Sequence, residues 1–386
     1  MKIKSLLLGS AAALVAVSGA RAADAIVVEP EPVEYVRVCD AYGAGWFYIP
    51  GTETCLKIDG DVRVDYSSIH WHDNWERTAV PFNSTTGAAA IAAFDSETSS
   101  HDARYRGRFN IRANNETEYG TLSSRIRFYG QISGTHTDTL SAAEGISSAP
   151  VALDWAVISL AGFRVGFADN YWTTAGGYGY YGNRFDGLYG YTQGLFLDYT
   201  WASNGWTATI GIEDGGFGYA PYGSSGTAGQ PDVYAGLTYS GSGWYLAGIY
   251  YYDSSASAGA YKIRADYDIS SFLPGGSIGG WYMADHGDTD WVKGHTWGVT
   301  ARMNLTDNMQ LFAGYSDYAD QARVGAANLS QTNWTVGVNW SVVPGLTITP
   351  EYTATWFENE NALVAAGNVP VIKNFGRFNL RIVRSF

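Results

Sequence analysis

Polar and apolar residues alternate with a period of two along most of this chain. Residues 104–112, RYRGRFNIR, place arginine or asparagine at every even position and an aromatic, aliphatic or glycine residue at every odd one. Residues 261–269, YKIRADYDI, repeat the pattern with lysine, arginine and aspartate. Neighbouring side chains of a β-strand point to opposite faces. Each segment therefore predicts a strand with one apolar and one charged face, which suits a wall between lipid and water.

Sixteen segments predict strands, and the connections between them differ in length. One set is short and turn-like, such as Ser203-Asn204-Gly205 and Val343-Pro344-Gly345, whereas the other set is mostly long. An even number of strands returns the last strand beside the first. The chain therefore predicts an all-β fold, a 16-stranded antiparallel transmembrane β-barrel with long external loops. The predicted strands are 56–67, 104–114, 120–131, 152–160, 163–168, 194–200, 205–213, 231–240, 243–253, 259–269, 275–284, 294–304, 309–318, 331–341, 346–357 and 374–386, and the predicted long loops are 68–103, 132–151, 169–193, 214–230, 285–293, 319–330 and 358–373.

The composition supports a sheet embedded in a membrane. Aromatic residues make up 15% of the 386 residues, with 28 Tyr and 14 Trp, and glycine contributes 47. Charged residues make up 16%, whereas soluble domains average about 25%. After residue 22 no segment approaches the ~18 continuous apolar residues of a membrane-spanning helix. A membrane protein without such helices must close its sheet, because lipid cannot satisfy an open edge.

The first 22 residues predict an export signal. A basic start, Met1–Lys4, is followed by a short apolar run and by Ala20-Arg21-Ala22, which fits a small-x-small cleavage site. Removing three of the 24 basic residues with it leaves 21 against 37 acidic ones, a net charge of −16. An acidic exported chain is a poor nucleic-acid binder. The expected organisation is a signal peptide at 1–22, an N-terminal periplasmic segment at 23–55 and the barrel at 56–386.

Both cysteines, Cys39 and Cys55, lie in the N-terminal segment. Export places them in an oxidising compartment, which favours a disulfide between them. The alternative is a pair of free buried thiols. A metal site is disfavoured, because two cysteines without nearby histidines do not complete a ligand set.

Arginines of the first three predicted strands and of the last one form the clearest constellation. Barrel closure makes these four strands neighbours, and a guanidinium group resists burial in lipid. We therefore expect a basic wall inside the lumen that filters or orients solutes by charge. The alternative is that inward positions merely need to be polar. The predicted wall consists of Arg63, Arg104, Arg106, Arg108, Arg112, Arg125, Arg127, Arg377 and Arg381.

The third long loop, Asp169–Tyr191, is the candidate constriction. It follows a short predicted strand and is rich in glycine, whose backbone tolerates close packing. A loop folded into the lumen would set Asp169 or Asp186 against the basic wall, and it also carries Arg184. The alternative is an ordinary external loop. Residues 177–182, GYGYYG, match a dinucleotide fingerprint, but neither a buried parallel strand before them nor a helix after them is predicted.

The sequence offers no recognisable catalytic, cofactor-binding or metal-binding motif. Five of the six histidines fall in predicted external loops, and His295 lies at the start of a predicted strand beside one; nothing indicates a serine held beside any of them as a nucleophile. A metal ion at His70 and His72 would need a third converging ligand. We expect no cofactor and no enzyme activity. The alternatives are a barrel enzyme of the lipid-hydrolase type and a plugged barrel with a structural or adhesive role.

The last strand ends on an aromatic residue, Phe386, which is typical of the closing strand of a bacterial outer-membrane barrel and is the expected assembly signal. Further characteristic segments are Glu34–Gly43, Phe47–Leu56, Phe163–Gly166 and Val343–Pro350. With these segments the chain resembles the general porins of the alpha-proteobacterial outer membrane.

The resemblance implies a homotrimer of sixteen-stranded barrels, a third loop folded into the pore, and passive diffusion of small hydrophilic solutes. It also implies an outer-membrane location, contact with membrane lipid and lipopolysaccharide, and insertion by the barrel-assembly machinery. For ions, the negative charge of the external loops favours cations at the mouth, whereas the arginines resist them. On balance the sequence predicts a mild cation preference.

Overall fold

Most residues that the structure describes lie in β-strands. This computed structural model describes residues 37–72, 99–137, 145–176, 193–214, 230–254, 256–286, 294–324, 327–358 and 374–386. No helix within these ranges has the length and apolar character needed to cross a membrane. The helical elements described are a 3-10 turn at Asp40–Tyr42 and a short α-helix, α1, at Tyr171–Gly176. The strands are β1 (Trp46–Tyr48), β2 (Cys55–His72), β3 (Ser99–Thr117), β4 (Gly120–Thr137), β5 (Gly145–Leu160), β6 (Phe163–Asp169), β7 (Gln193–Ser203), β8 (Trp206–Asp214), β9 (Asp232–Gly241), β10 (Trp244–Asp253), β11 (Ala258–Asp268), β12 (Ser277–His286), β13 (His295–Thr306), β14 (Met309–Val324), β15 (Ala327–Val343), β16 (Leu346–Glu358) and β17 (Asn374–Ser385).

Sixteen of the strands described, β2 to β17, close into a ring. Each pairs antiparallel with the next along the chain, and β17 returns to pair with β2. The closing pair sets Arg381 opposite Asp65. A closed ring satisfies the backbone hydrogen-bonding groups that an open edge would expose to lipid. The predicted 16-stranded antiparallel barrel is confirmed.

The two faces of the ring differ in the way that the alternation predicts. On β3, Tyr105 and Phe109 are 52% and 39% exposed on the outer face, whereas Asn110 is 5% exposed on the inner face. Asp65 and Arg381 of the neighbouring strands are also buried on the inside. This distribution reverses that of a soluble protein, in which large apolar side chains are buried. The outer surface therefore suits hydrocarbon, and the inner surface suits water.

The strands extend further than the alternation indicates at the end that carries the long connections. β2 continues to His72 and β3 begins at Ser99. β14 continues to Val324 and β15 begins at Ala327, so the predicted long loop at 319–330 is wrong. Beyond the hydrocarbon both faces of a strand meet water, so the ladder of backbone hydrogen bonds continues where the sequence no longer separates polar from apolar residues.

The opposite end of the barrel carries tight turns. Asn204-Gly205 connects β7 to β8 with φ angles of 51° and 81°. A type I′ hairpin turn needs positive φ at both central positions, which asparagine and glycine tolerate best. Ala161-Gly162 and Ser242-Gly243 repeat the same pair of positive φ angles. The predicted short turns at this end are confirmed.

A small disulfide-bonded unit precedes the barrel and joins its sheet. Cys39 and Cys55 form a disulfide with Cα atoms 6.0 Å apart, which confirms the predicted bond. Between them β1 pairs with residues 55–57 of β2, whereas β17 pairs with β2 from residue 61 onwards. β1 therefore pairs with the same edge of β2 as the last strand, β17, just beyond the point where β17 ends. The sequence did not predict β1, because three residues are too few to show an alternation.

Side-chain hydrogen bonds tie this unit to the barrel. The Tyr42 hydroxyl donates to the Glu116 carboxylate at 2.6 Å. That bond is the main cause that raises the pKa of Tyr42 to about 12, so the phenol keeps its proton and stays a donor. Lys57 Nζ donates to the Ala44 carbonyl oxygen at 2.9 Å. The unit is thus fixed to both β2 and β3.

The C-terminal residue lies in the same seam. The backbone N–H and C=O of Phe386 bond the C=O and N–H of Gly60 at 3.0 and 3.1 Å. A Cβ added to Gly60 would lie 2.8 Å from the Phe386 ring and 2.3 Å from the carbonyl oxygen of Arg108. A glycine at this position therefore leaves the space that the last residue fills.

We expect Gly60→Ala to destabilise the barrel by about 1–3 kcal/mol, because the added methyl group overfills the seam. Gly107→Ala on β3 is the matched control, since an added Cβ there has no atom within 4 Å. Urea unfolding in lipid vesicles, followed by tryptophan fluorescence, measures both. Equal midpoints for the two variants would contradict this account of the seam.

Candidate functional site

All nine arginines of the predicted wall lie on four adjacent strands of the ring. β17, β2, β3 and β4 follow one another in the sheet. The arginines share the inner face with Asp65, Asn110 and Asn379, which are buried. We call this surface the arginine face. Its members are Arg63 on β2; Arg104, Arg106, Arg108 and Arg112 on β3; Arg125 and Arg127 on β4; and Arg377 and Arg381 on β17.

A buried aspartate holds three of these arginines together. Asp65 is 1% exposed, and its carboxylate lies 2.7 Å from Arg63 and 2.6 Å from Arg381. Arg104 approaches the same carboxylate at 3.0 Å. A carboxylate removed from water needs such partners, because an unpaired buried charge is strongly destabilising. This part of the arginine face is a compact network of ion pairs across three strands.

The pairing loosens towards the end with the short turns. Asp61 lies 3.5 Å from Arg106 and 3.9 Å from Arg108. Asp59 lies 3.1 Å from Arg112. With the Asp65 network, six arginines share three aspartates, so positive charge is in excess. The alternation of β2 already placed these aspartates on the inner face. The predicted wall included only arginines, so it did not account for the charge that the aspartates neutralise.

Two arginines of β4 stack on one tryptophan. The guanidinium carbons of Arg125 and Arg127 lie 4.2 and 3.9 Å from the centre of the Trp155 ring. Trp155 Nε1 donates to Asp169 at 2.9 Å, and Arg127 contacts both Asp154 and Asp169. Stacking and hydrogen bonding hold these groups in one orientation. Asp169, the last residue of β6, thus meets the arginine face along the barrel wall rather than across the lumen.

The chain turns into the lumen after β6. Asn170 Oδ1 accepts the N–H of Thr173 at 3.0 Å and so caps α1. Trp172 of the helix is completely buried, and α1 packs on the inner faces of β9 to β12. These strands lie half a turn around the ring from the arginine face. The predicted inward fold of the third loop is confirmed for residues 170–176, whereas Arg184 and Asp186 lie outside the described residues.

Stacked tyrosine rings pack α1 against the inner wall of the barrel. The rings of Tyr171 and Tyr234 stack with centroids 5.5 Å apart, and those of Tyr234 and Tyr251 at 4.8 Å. Tyr234 donates its hydroxyl proton to Asp198 at 2.9 Å, and Tyr251 donates to Glu213 at 2.6 Å. The buried carboxylates are thereby hydrogen-bonded, while the rings supply apolar contact to the helix.

Three side chains bind the carbonyl groups of α1. Lys262 of β11 is completely buried; its Nζ donates to the Trp172 carbonyl at 3.4 Å and lies 5.6 Å from the indole centre. Arg264 donates to the Gly176 carbonyl at 3.4 Å. The Tyr245 hydroxyl donates to the Ala175 carbonyl. A short helix leaves these acceptors without partners of its own. We call Lys262, Arg264 and Tyr245 the helix latch.

These features define a class of protein. A closed barrel with an apolar exterior, a charged interior and an inward-folded loop is the architecture of a channel through an outer membrane. Among the described residues no cluster of histidine, cysteine, aspartate and glutamate could hold a metal ion.

Comparison with known proteins identifies the family. A family model for a porin subfamily matches residues 24–375. Porin Omp2a of Brucella ovis is 37% identical, covering 93% of this chain and 100% of the relative. Porin Omp2b of Brucella suis is 36% identical, covering 93% and 94%. The chain therefore belongs to the porin family, among the general porins of alpha-proteobacteria, and forms a channel in the outer membrane.

The family assignment confirms the predicted resemblance and leaves the enzyme alternative without support, because porins are a non-enzymatic channel family. Solved structures share the fold at low identity. The DcaP channel of Acinetobacter baumannii superposes with a TM-score of 0.56 at 13% identity, covering 88% of this chain and 99% of that one. An anion-selective porin of Comamonas acidovorans gives 0.52 at 12%, covering 86% and 100%. OmpT of Vibrio cholerae, described in its trimer form, gives 0.52 at 11%, covering 87% and 100%.

We expect Lys262→Met to loosen α1 without opening the ring. The variant removes a charge-assisted hydrogen bond of about 1.5–3 kcal/mol and leaves the Trp172 carbonyl without that donor. Single-channel recordings should show more current noise and more frequent partial closures, and Tyr245→Phe should show a smaller effect of the same kind. Quiet traces from Lys262→Met would contradict the helix latch.

Proposed function

We propose that this porin is a water-filled pore through which small hydrophilic solutes and ions diffuse without covalent chemistry or energy input. The observation that carries the proposal is the lining of the lumen, with the arginine face on one side and α1 on the other. A polar lining offers a continuous aqueous path, so a solute keeps its hydration while it crosses the hydrocarbon. The third loop limits the size of solutes that can pass, and the arginine face discriminates between solutes by their charge.

The proposal extends to export and assembly. A signal peptide at 1–22, contact with membrane lipid and lipopolysaccharide, and insertion by the barrel-assembly machinery all follow from an outer-membrane location. We also propose a homotrimer. The trimer form of Vibrio cholerae OmpT supports this assembly for a barrel of the same fold.

Charge selectivity depends on two opposing fields. Without its predicted signal peptide the chain carries a net charge of −16, which enriches cations near the mouth within about one Debye length. On the arginine face, six arginines share three aspartates. Fixed charges act more strongly in a narrow site with low-dielectric walls than at an open mouth. We therefore propose an anion preference, in place of the mild cation preference that the sequence predicts.

Reconstitution in planar bilayers tests the pore and its selectivity together. The wild-type protein should produce stepwise ohmic currents, and its reversal potential in a KCl gradient should have the sign of an anion-preferring channel. Silent membranes containing folded protein would favour a plugged barrel instead.

Arg106→Glu should shift the reversal potential towards cation preference, because it replaces a positive lumen charge with a negative one. Arg384→Glu is the matched control, since Arg384 is an exposed residue on the outer face near the short turns. The same salt gradient measures both variants. Equal shifts, or none in either, would show that the arginine face does not set the selectivity.

Removal of Phe386 should lower the yield of assembled barrels, because the last residue closes the seam and is the proposed assembly signal. Channels that do assemble should keep the wild-type conductance, since Phe386 lies outside the lumen. Surface-labelled protein in outer-membrane fractions measures the yield, with Phe386→Tyr as the control that keeps an aromatic end. A normal yield without Phe386 would refute the assigned role.

A further inference from the structure

Two pairs of arginines face each other directly across neighbouring strands. Arg63 pairs with Arg106 between β2 and β3, and Arg112 pairs with Arg125 between β3 and β4. Like charges at directly opposed positions destabilise a sheet. In the first pair each guanidinium group has an aspartate of β2 within 4 Å. Each member of the first pair therefore has a carboxylate partner in the protein, which it shares with other arginines.

The second pair is neutralised on one side. Arg112 lies 3.1 Å from Asp59, but Arg125 has no carboxylate within 4.0 Å among the described residues. Its Nη2 donates instead to the neutral side chain of Asn110 at 2.9 Å. Stacking on Trp155 fixes the plane of the guanidinium group. Arg125 is thus a preorganised positive charge on the lumen wall.

Donor groups around this pair lack acceptors. The Nε atoms of Arg108 and Arg125 are buried and have no hydrogen-bond partner among the described residues, whereas buried polar groups are nearly always bonded. The Arg112 Nε lies 3.1 Å from Asp59, and one carboxylate oxygen each of Asp59 and Asp61 also lacks a hydrogen-bond partner. The carboxylate nearest to Arg108 is 3.9 Å away, on Asp61. The side chains of Arg108 and Arg112 are 26% and 37% exposed, so a solute in the lumen can reach their guanidinium groups.

We propose that Arg108, Arg112 and Arg125, together the oxyanion patch, bind a small solute that carries two or more negative charges on oxygen, such as inorganic phosphate or a short dicarboxylate. Arg112 and Arg125 are directly opposed, about 4.5–5.5 Å apart. Arg108 lies four residues from Arg112 on the same face of β3, a rise of about 13–14 Å, which two long arginine side chains leaning towards each other can largely close. Three guanidinium groups can therefore bind the oxygens of one such anion through paired, charge-assisted hydrogen bonds.

A bound oxyanion also offsets the repulsion between Arg112 and Arg125, which gives the arrangement a reason to bind a doubly charged solute better than chloride. The proposal rests on the proposed diffusion function and adds a saturable binding step to it. The patch lies towards the short turns from the Asp65 network, whose three arginines share one buried carboxylate.

Inorganic phosphate is the probe, added to one side of single wild-type channels in KCl. The current should fall along a saturable curve. Arg125→Gln should raise the half-blocking phosphate concentration about tenfold, the loss expected for one charge-assisted contact. Arg125→Lys should lie between the two, because a point charge replaces a planar fork. Arg108→Gln is a second removal variant, at a position that stays clear of Trp155.

The matched control is Arg302→Gln, which removes one positive charge from an exposed position on the inner face of β13, away from the oxyanion patch. It should keep the wild-type half-blocking concentration. An equal change in Arg302→Gln and Arg125→Gln, or a linear response to phosphate, would overturn the patch. If only the oxyanion patch is wrong, ohmic current steps in chloride remain. If the proposed pore itself is wrong, all currents are absent, so the two outcomes can be distinguished.

Discussion

The hydrocarbon of a membrane offers no hydrogen-bond partner to a peptide group, and each unpaired backbone group there costs several kcal/mol. This constraint governs the architecture. A sheet meets it only when its first and last strands join, as β2 and β17 do here. Additional backbone pairing therefore occurs at the seam between β2 and β17. Phe386 forms backbone hydrogen bonds with Gly60, and β1 extends the pairing of β2 beyond the last strand.

Closure also decides where charge can lie. The period of two that turns Tyr105 towards lipid turns Arg106 towards the lumen, so a chain with this alternation collects its guanidinium groups inside. Crowded cations then need partners, and Asp65 supplies one for three of them. Where partners run short, at Arg125, positive charge remains for solutes. We propose that this incomplete neutralisation of the arginines sets the charge selectivity of the pore.

The third loop follows from the same logic. The helix α1 is buried against the wall, so its carbonyl groups need protein donors in place of water, and the helix latch provides them from the wall opposite the arginines. Lys262 serves this purpose because a buried ammonium group gains both a carbonyl partner and the face of Trp172. α1 is therefore held by the barrel wall on the side of the lumen opposite the arginine face.

Alternation was sufficient to predict the barrel, its strand number and the inward side of Arg106 and its neighbours, because parity is a local property of the sequence. It could not predict β1 or the ends of β14 and β15, where water on both faces removes the pattern. It also could not separate Lys262, which binds a helix, from the other inward cations. Nor could it assign Arg125 its stacking partner, since Trp155 lies on another strand and register is set by tertiary pairing.

The whole architecture depends on alternate residues of each strand facing water and lipid. Single cysteine substitutions along residues 105–109 of β3, treated with a charged, membrane-impermeant thiol reagent during current recording, test it most directly, because the native cysteines are joined in a disulfide. Modification should change the current at 106 and 108 and leave it unchanged at 105 and 109. Reactivity with the opposite parity, or at every position alike, would contradict it.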